Sequence, residues 1–288
     1  MQFDTPKTVG RAVRYYFGRL NVFFPSEDKY GFVKKALSAD LTYEKRGYNW
    51  GFFDIQELES HLGLFFTGYL AKYKTEKEEE VADIDKHKIE DQTLENLIEA
   101  KARFFVHIDS GIIGFHPISN KIEIDQFCVV FAEIVEEAYA GFFVQAEIQL
   151  IEERVRIFEE IKKFNIIKHL GISLIPTNPT NIPEYREIDE RLKRLRTSRY
   201  KESYDTDDDE RPLRIEEDED INSKLKMAID GYGKGEISGI KEGEVAKVKT
   251  GDNPVSTFAP SDDAPLENIF GTIKSAVEKI LGRFKNEG

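Results

Sequence analysis

Residues 102–149 read ARFFVHIDSGIIGFHPISNKIEIDQFCVVFAEIVEEAYAGFFVQAEIQ, and this stretch decides the fold class of the chain. Two short apolar segments, Arg103–Asp109 and Ile112–Pro117, lie on either side of a Ser-Gly pair at positions 110–111. Glycine accepts a positive φ without steric cost, so this pair favours a tight primed turn between antiparallel strands. The stretch therefore predicts a β-hairpin at its start.

A helix and a further strand follow the predicted hairpin. Asp125 is the predicted N-cap, apolar residues then recur every three or four positions, and Gly141 is the predicted helix end. Apolar and polar residues alternate over Phe142–Leu150, which predicts a strand. A second amphipathic helix over Glu152–Phe164 and a strand over Ile166–Pro176 complete the order ββαβαβ. This order predicts an α+β fold with a largely antiparallel sheet, helices packed on one face, and a charged helical C-terminal region.

Charge and apolar spacing divide the chain into six predicted segments. Thr75–Gln92 is charged and has few large apolar side chains, a pattern typical of a linker or an exposed loop. A short helix is predicted around Leu94–Ile98, and the charge-dense stretch Arg199–Glu219 is predicted to be mobile. The predicted segments are an N-terminal α+β part of the sheet (1–74), an acidic linker or loop (75–92), the central ββαβαβ unit (93–182), a charged helical and hairpin segment (183–252), a linker (253–265) and a C-terminal amphipathic helix (266–288).

Composition and charge limit the classes of protein to which the chain can belong. Of its 288 residues, 40% are hydrophobic and 12% aromatic, enough to build a core, so global disorder is excluded. The net charge of −13 disfavours a protein that binds nucleic acid over its whole surface. The single cysteine, Cys128, lies in an apolar helical pattern, which predicts a buried side chain rather than a nucleophile. The sequence lacks a signal-peptide core and a membrane-length apolar run, so we expect a cytoplasmic protein with no membrane span.

The densest basic cluster lies in the segment that follows Pro183. On a helix, Leu192 and Leu195 would face the protein while the cations faced outward. Guanidinium groups suit phosphate because their planar fork donates two parallel hydrogen bonds, and Tyr200 would stack on a base. Two other interpretations stay open, namely cations that complement the dipole of a helix C-terminus, and pairing with the acidic run Asp205–Asp220. The predicted nucleic-acid-binding residues are Arg191, Lys193, Arg194, Arg196, Arg199 and Lys201.

Patterns typical of a catalytic or metal site are absent from the sequence. The five histidines lack the spacing of zinc ligands. His107 and His116 lie on the two arms of the predicted hairpin, and since His107 would pair with Gly114 the imidazoles would not face each other. The carboxylates of 205–210 lie in a stretch expected to move, whereas metal sites need fixed geometry, and the glycines of 231–235 follow a helix, the wrong context for a nucleotide fingerprint. We therefore predict no catalytic residues, metal or cofactor, and favour a non-enzymatic protein while leaving enzymatic activity open.

Over residues 62–260 the chain resembles an uncharacterised bacterial family of phage-defence-associated proteins. That family has a strand of the form RFFFxFD, which is similar to Arg103–Asp109 (RFFVHID), followed by a second strand, a helix, and a strand that leads into another helix. The block Ile221–Gly239 (INSKLKMAIDGYGKGEISG) is similar to the family's helix, Asn-Gly-Tyr and strand segment, with Asp230 in place of the asparagine. The order of elements also resembles, loosely, that of the Rex-type phage-exclusion proteins, which bind DNA. The resemblance implies a role in anti-phage defence and carries over no catalytic residues.

Three functional hypotheses follow from the residues and the resemblance together. The first is an anti-phage defence protein of the abortive-infection or exclusion type, which binds nucleic acid through the basic helix as a homodimer or other homo-oligomer, or with a partner defence subunit. The second is a defence effector nuclease whose site is assembled from residues distant in sequence. The third is a non-catalytic protein–protein interaction subunit. The apolar face of the C-terminal helix, Leu266–Phe284, either docks on its own chain or joins subunits.

Overall fold

The computed structural model describes residues 11–23, 28–85, 87–140, 144–177 and 182–283. The predicted helix end at Gly141 and the predicted strand start at Phe142 lie outside these residues, as do the outer ends of the first and last predicted segments. Within the described residues, antiparallel strands form two sheets and six α-helices accompany them, which confirms the predicted α+β fold.

The described strands form one large and one small sheet, with labels in chain order. The strands of the large sheet are β1 (Ala12–Phe23), β2 (Tyr43–Lys45), β3 (Tyr48–Ser60), β4 (Gly63–Asp83), β5 (Lys88–His107), β6 (Ile112–Phe115), β7 (Gln145–Leu150) and β12 (Ser256–Pro260). Those of the small sheet are β8 (Phe164–Leu174), β9 (Tyr200–Asp205), β10 (Gly233–Lys241) and β11 (Glu244–Lys249). The α-helices are α1 (Lys29–Leu37), α2 (Ile124–Glu137), α3 (Arg154–Ile161), α4 (Arg186–Arg194), α5 (Glu219–Met227) and α6 (Leu266–Gly282). A 3-10 turn (Pro183–Tyr185) precedes α4, and a π turn (Ala228–Tyr232) joins α5 to β10.

Neighbouring strands in both sheets run antiparallel. The large sheet has the order β12-β1-β6-β5-β4-β3-β2, and β7 pairs with Gly18–Phe23 of β1. The small sheet has the order β11-β10-β8-β9. Strand β8, which the sequence assigns to the central unit, therefore pairs with the strands that follow it in the chain.

Helices cover both faces of the large sheet. Phe104 and Phe105 are consecutive on β5, so their side chains point to opposite faces. Phe104 packs edge-to-face on Phe131 of α2, with ring centroids 5.1 Å apart, and Phe105 stacks on Phe270 of α6 at 6.1 Å. The cluster on the first face also includes buried residues of α1. The predicted packing of helices on one face therefore holds for α1 and α2, whereas α6 covers the opposite face.

The C-terminal helix α6 docks on its own chain. Ile269, Ile273, Val277 and Ile280 are buried along one side of α6, at the spacing of an amphipathic helix. They form one apolar cluster with Tyr15 and other residues of the large sheet. Its apolar face is therefore occupied within the chain, which decides between the two alternatives left open by the sequence.

The small sheet has one covered and one open face. Buried residues of α3, α4 and α5 form a single apolar cluster with Leu170, Ile172 and Leu174 of β8. The alternate residues of β8 are His169, Gly171 and Ser173, and because side chains alternate along a strand they lie on the opposite face. We call this polar surface the open face.

Residues 75–92 are not a linker. Residues 75–83 and 88–92 continue β4 and β5 into one antiparallel ladder that runs from the pair Phe65–His107 to the pair Asp83–Lys88. The predicted helix at Leu94–Ile98 is part of the same β5 strand, and the stretch predicted to be mobile contains β9. The predicted linker 253–265 likewise contains β12, which pairs with β1. Charge-dense strands lack the apolar alternation by which strands are recognised, whereas their backbone ladder forms all the same.

The central hairpin has a wider connection than predicted. Phe105 pairs with Gly114 and Val106 with Ile113, so β5 and β6 are joined by four residues that include Ser110. The predicted pairing of His107 with Gly114 is wrong, because the connection has four residues instead of the two expected and the register shifts accordingly. The predicted N-cap is also displaced, since α2 begins after Glu123 and Asp125 lies in its first turn.

A buried arginine joins the two sheets. Arg19 of β1 has 0% exposure, and its Nε donates to the Asp230 carbonyl oxygen at 2.8 Å while its Nη1 donates to the Ser110 carbonyl oxygen at 2.6 Å. The guanidinium carbon lies 4.2 Å from the ring centroid of Tyr232. Gly231 has a φ of 86°, and a Cβ there would lie 2.8 Å from the Arg19 Cβ, so glycine is required at this junction.

Candidate functional site

The six predicted binding residues do not lie on one helix face. Arg191, Lys193 and Arg194 belong to the last turn of α4, where cations complement the helix dipole. Arg196 follows the helix with a left-handed φ of 52°. Leu195 is 62% exposed, contrary to the prediction that it faces the protein, because α4 ends at Arg194 and the apolar face ends with it.

Lys193 is held by a buried carboxylate. Its Nζ lies 2.5 Å from Asp189 Oδ2 and donates to Thr177 Oγ1 at 2.9 Å. Asp189 is 6% exposed and also accepts hydrogen bonds from the Thr177 backbone N–H and hydroxyl. These contacts fix α4 on the preceding loop, so Lys193 is a structural residue whose charge is compensated.

Arg199 and Lys201 lie at the open face. Arg199 Nη2 lies 3.0 Å from Glu147 of β7, and its Nη1 donates to Ser173 Oγ at 3.4 Å. Lys201 pairs with Ser173 in the β9–β8 ladder, and Ser173 in turn pairs with Lys234 of β10. Since directly opposite residues point to the same face, Lys201, Ser173 and Lys234 form one row across three strands. The structure thus brings a cation from outside the predicted cluster beside two from within it.

A second row provides the floor of a groove. Ser203, Gly171 and Glu236 lie opposite one another on β9, β8 and β10. Gly171 has no side chain, so the sheet is depressed at this point between its neighbours. A groove of about 400 Å³ lies here, lined by His169, Gly171, Ile172, Ser173, Lys201, Glu202, Ser203, Lys234, Gly235 and Glu236.

The third row consists of Asp205, His169 and Ser238, which lie opposite one another on β9, β8 and β10. His169 Nδ1 donates to Asp205 Oδ1 at 2.7 Å, and the Ser203 hydroxyl donates to Asp205 Oδ2 at 3.2 Å. The hydrogen bond from His169 lowers the pKa of Asp205 from its usual value. A Cβ on Gly171 would lie 3.2 Å from His169 Nε2, so the second imidazole nitrogen lies over the floor of the groove.

The acidic run beyond β9 does not neutralise the predicted basic cluster within the described residues. Its carboxylates pair elsewhere, as Asp208 with Arg211, Asp209 with Lys168 and Asp220 with Lys224. In the described residues, the side chains of Arg191, Arg194, Arg196, Lys201 and Lys234 have no ion pair or hydrogen bond, and of these Lys201 and Lys234 line the groove of the open face. None of these three ion pairs joins the acidic run to the basic cluster, so the interpretation in which the two pair is wrong for Asp208, Asp209 and Asp220.

The other polar residues singled out in the sequence have local partners. His107 is buried and contacts Ser110 Oγ at 2.7 Å and the Leu62 carbonyl oxygen at 2.8 Å, while His116 Nδ1 lies 3.0 Å from the Arg14 carbonyl oxygen. Cys128 is buried as predicted, and burial raises the pKa of its thiol to about 12. In the described ranges, His, Cys, Asp and Glu side chains form no group of three or more that could hold a metal ion.

Sequence reasoning missed most of the groove. Ser173, Lys234 and His169 lie on β8 and β10, far from the basic cluster along the chain. A signal was present, since polar residues alternate with apolar ones over His169–Leu174 and mark one face of that strand as open. The cross-strand register that brings Lys234 to Lys201 is not readable from a single sequence.

Residues 13–277 match the family described as a domain of unknown function, DUF4747. The chain belongs to the DUF4747 family. The DUF4747 match begins in β1 and ends within α6, so it includes both sheets and every residue of the groove. No curated protein matches the chain. Among the described helices of this DUF4747 chain, none is long and apolar enough to cross a membrane.

Proposed function

We propose that the protein binds the phosphate backbone of nucleic acid at the open face of the small sheet, as part of anti-phage defence in the cytoplasm. The observation that carries the proposal is the row Lys201–Ser173–Lys234, in which two ammonium groups without a carboxylate partner in the described residues flank one hydroxyl. Neighbouring strands lie about 4.8 Å apart, so both ammonium groups reach one anion above Ser173. A phosphate oxygen accepts from each of these donors.

Cations around the row extend the contact surface. Arg199 reaches Ser173, although Glu147 shares its guanidinium. Arg194 and Arg196 follow from the end of α4 and lead along the chain to Arg199. A second phosphate of the same strand would contact Arg199, whereas α4, which carries Arg194, packs on the covered face of the small sheet. No Phe, Tyr or Trp is among the described residues that line the groove, so we expect recognition of the backbone with little base preference.

Salt-dependent binding tests the proposal. Labelled single-stranded RNA, single-stranded DNA and duplex DNA are titrated with the full chain by fluorescence anisotropy between about 50 and about 200 mM salt. We expect affinity to fall with salt, and the slope to decrease by about one for Lys201→Ala and for Lys234→Ala. Charge reversal, Lys201→Glu or Lys234→Glu, should weaken binding about tenfold or more, because it replaces an attraction by a repulsion.

An exposed lysine on α6 provides the matched control. Lys279→Glu changes the net charge by the same amount but lies on a different element from the groove. If Lys279→Glu weakens binding as much as Lys201→Glu, the effect is one of overall charge and the groove is not the site. Reversal of Arg194 and Arg196 together tests the α4 end separately. Absence of binding to all three nucleic acids would overturn the proposal and favour the hypothesis of a subunit that acts only with a protein partner.

The defence role and the homodimer need tests in their own right. The defence role rests on the sequence resemblance, and cells that express the chain should reduce phage plating more than cells that express Lys201→Glu. Equal phage plating on both strains would show that defence does not depend on Lys201 and the groove. The homodimer is tested by sedimentation of the purified chain with and without nucleic acid, and a monomer under both conditions would exclude it. Since α6 is docked, a dimer would use another surface.

A further inference from the structure

The imidazole of His169 is held by a carboxylate and opens onto the groove. Its Nδ1 donates to Asp205 at 2.7 Å, so the neutral ring carries its proton on Nδ1 and its lone pair on Nε2. Nε2 has no hydrogen-bond partner in the described residues and lies over Gly171. We infer that the groove is a catalytic site for RNA, in which His169 acts as a general base on a ribose 2′-hydroxyl. This inference rests on the proposed binding of nucleic acid at the same face.

The three rows place the groups needed for backbone cleavage around one phosphate. Residues two apart on a strand lie about 6.8 Å from each other, so a phosphate held above Ser173 by Lys201 and Lys234 lies beside the imidazole nitrogen that is over Gly171. Lys201 and Lys234 flank Ser173 and point their ammonium groups to the same face. Such fixed cations stabilise the negative charge that develops on the phosphate oxygens during attack.

Asp205 is a positioning residue in this site. It contacts the imidazole rather than the RNA, and a second hydrogen bond from Ser203 holds its other oxygen. A carboxylate in this position fixes the tautomer and orientation of the ring, and stabilises the imidazolium that forms when Nε2 takes a proton. The hydrogen bond from His169 lowers the pKa of Asp205 and so favours the ionised carboxylate that accepts from the ring.

The Glu236 carboxylate of the groove is paired with two lysines. Glu236 lies opposite Gly171 on β10, and Lys247 of β11 forms an ion pair with it. Lys249 Nζ lies 3.5 Å from the other Glu236 oxygen, and the bond from Lys247 lowers the pKa of Glu236. The charge of this carboxylate is therefore compensated by two lysines of β11.

The proposed step is an intramolecular transesterification that balances without a further reactant. His169 Nε2 takes the proton of the 2′-hydroxyl, and the 2′-oxygen forms a bond to phosphorus. The bond between phosphorus and the 5′-oxygen of the next nucleotide breaks, and that oxygen takes a proton from one of the two ammonium groups beside Ser173. The products are a 2′,3′-cyclic phosphate and a 5′-hydroxyl, and the imidazolium and the amine exchange protons with water. Because the nucleophile is the 2′-hydroxyl, DNA is bound but not cleaved.

Cleavage of RNA in the presence of EDTA tests this step. The full chain is incubated with labelled single-stranded RNA and with the same sequence carrying 2′-O-methyl groups, and the product ends are identified by mass spectrometry. We expect cyclic-phosphate ends from the first substrate and no cleavage of the second. His169→Ala should lower the rate about 100-fold or more while binding is unchanged, because general-base catalysis contributes at least this factor. Imidazole added to the buffer should restore part of the activity of His169→Ala.

A surface histidine–carboxylate pair supplies the matched control. His61 Nε2 lies 3.3 Å from Glu278 of α6, and neither residue lines the groove. The His61→Ala protein should therefore cleave RNA as the wild type does. Asp205→Asn should lower the rate at saturating RNA and leave the dissociation constant unchanged, whereas Asp209→Asn should change neither. A merely structural pair would predict a loss of binding for Asp205→Asn and no rescue by imidazole.

The outcomes separate this inference from the proposed function. If the wild type binds RNA but leaves it intact, the catalytic inference is overturned and the binding proposal stands. If the wild type does not bind, both are overturned. Equal rates for wild type and His169→Ala, or cleavage of the 2′-O-methyl substrate, would show that another group or another nucleophile carries the reaction.

Discussion

Replacing the buried arginine of β1 should loosen the junction between the two sheets. Arg19→Met keeps the length and apolar body of the side chain but removes the guanidinium. In the wild type this group donates to the carbonyl oxygens of Asp230 and Ser110, which belong to the π turn and to the β5–β6 connection. Both elements would lose their common partner.

The magnitude follows from the groups left behind. A buried carbonyl oxygen without its donor costs about 1–3 kcal/mol, so the Asp230 and Ser110 oxygens together account for about 2–6 kcal/mol. Loss of the contact with the Tyr232 ring adds up to about 2 kcal/mol. Removal of a buried charge acts in the opposite direction, because that charge no longer has to be desolvated. We expect a net loss of about 3 kcal/mol in the free energy of unfolding.

Urea unfolding followed by fluorescence measures this loss. Arg14→Met is the matched control, since Arg14 is an exposed arginine on the same strand that lies over the Phe258 ring at 4.8 Å. Arg19→Met should lower the urea midpoint with little change in the m-value, while Arg14→Met should change the midpoint little. Equal midpoints for the two variants would refute the reasoning, because the two carbonyls would then have found other partners.

Three further predictions concern ionised groups and glycines. Burial opposes ionisation of Glu202, but hydrogen bonds led by the one from Lys224 outweigh it and lower the pKa of Glu202, so the stability lost in Glu202→Gln should be largest above about pH 5 and shrink as the pH falls, measured by urea midpoints. Burial raises the pKa of Glu152, so wild-type stability falls as the pH rises from the ordinary glutamate pKa of about 4.3 through the raised one, and Glu152→Gln should gain on the wild type over that rise. A Cβ at Gly239 would lie 2.0 Å from a backbone oxygen of β8, whereas Gly271 in α6 has open space, so Gly239→Ala should lower the melting temperature and Gly271→Ala should raise stability by up to about 1 kcal/mol.

The sequence predicts those helices and strands in which apolar side chains recur at a regular spacing. Helix α2 and the hairpin of β5 and β6 follow from apolar spacing, and the buried state of Cys128 follows from its place in that spacing. The charged ends of β4 and β5 carry no such period, so 75–92 reads as a linker although backbone pairing alone continues the strands. A turn of four residues in place of two also moves the register of β5 on β6, and sequence offers no local mark for that choice.

The candidate site is predictable only in part for a related reason. Clustering along the chain identifies Arg199 and Lys201, but it also includes Lys193, whose charge is compensated by Asp189. Tertiary contacts decide whether a charge is compensated and which charged residues lie side by side. Asp189 is recognisable as the partner of Lys193 only because its position on α4 allows an i,i+4 pair. Lys234 and His169 enter the site through the antiparallel pairing of β8 with β9 and β10.

The junction between the sheets also bears on the groove. The π turn that Arg19 holds leads directly into β10, on which Lys234 lies two residues beyond Tyr232. On the other side, Glu147 of β7 contacts Arg199, so residues of the large sheet position both sides of the row at Ser173. The small sheet alone therefore does not determine the spacing of its cations. A folded Arg19→Met protein should bind nucleic acid more weakly than Arg14→Met, even though Arg19 is buried and cannot contact a phosphate, because the start of β10 would no longer be fixed relative to β8. Unchanged affinity would mean that pairing of β10 with β8 suffices to place Lys234 opposite Lys201.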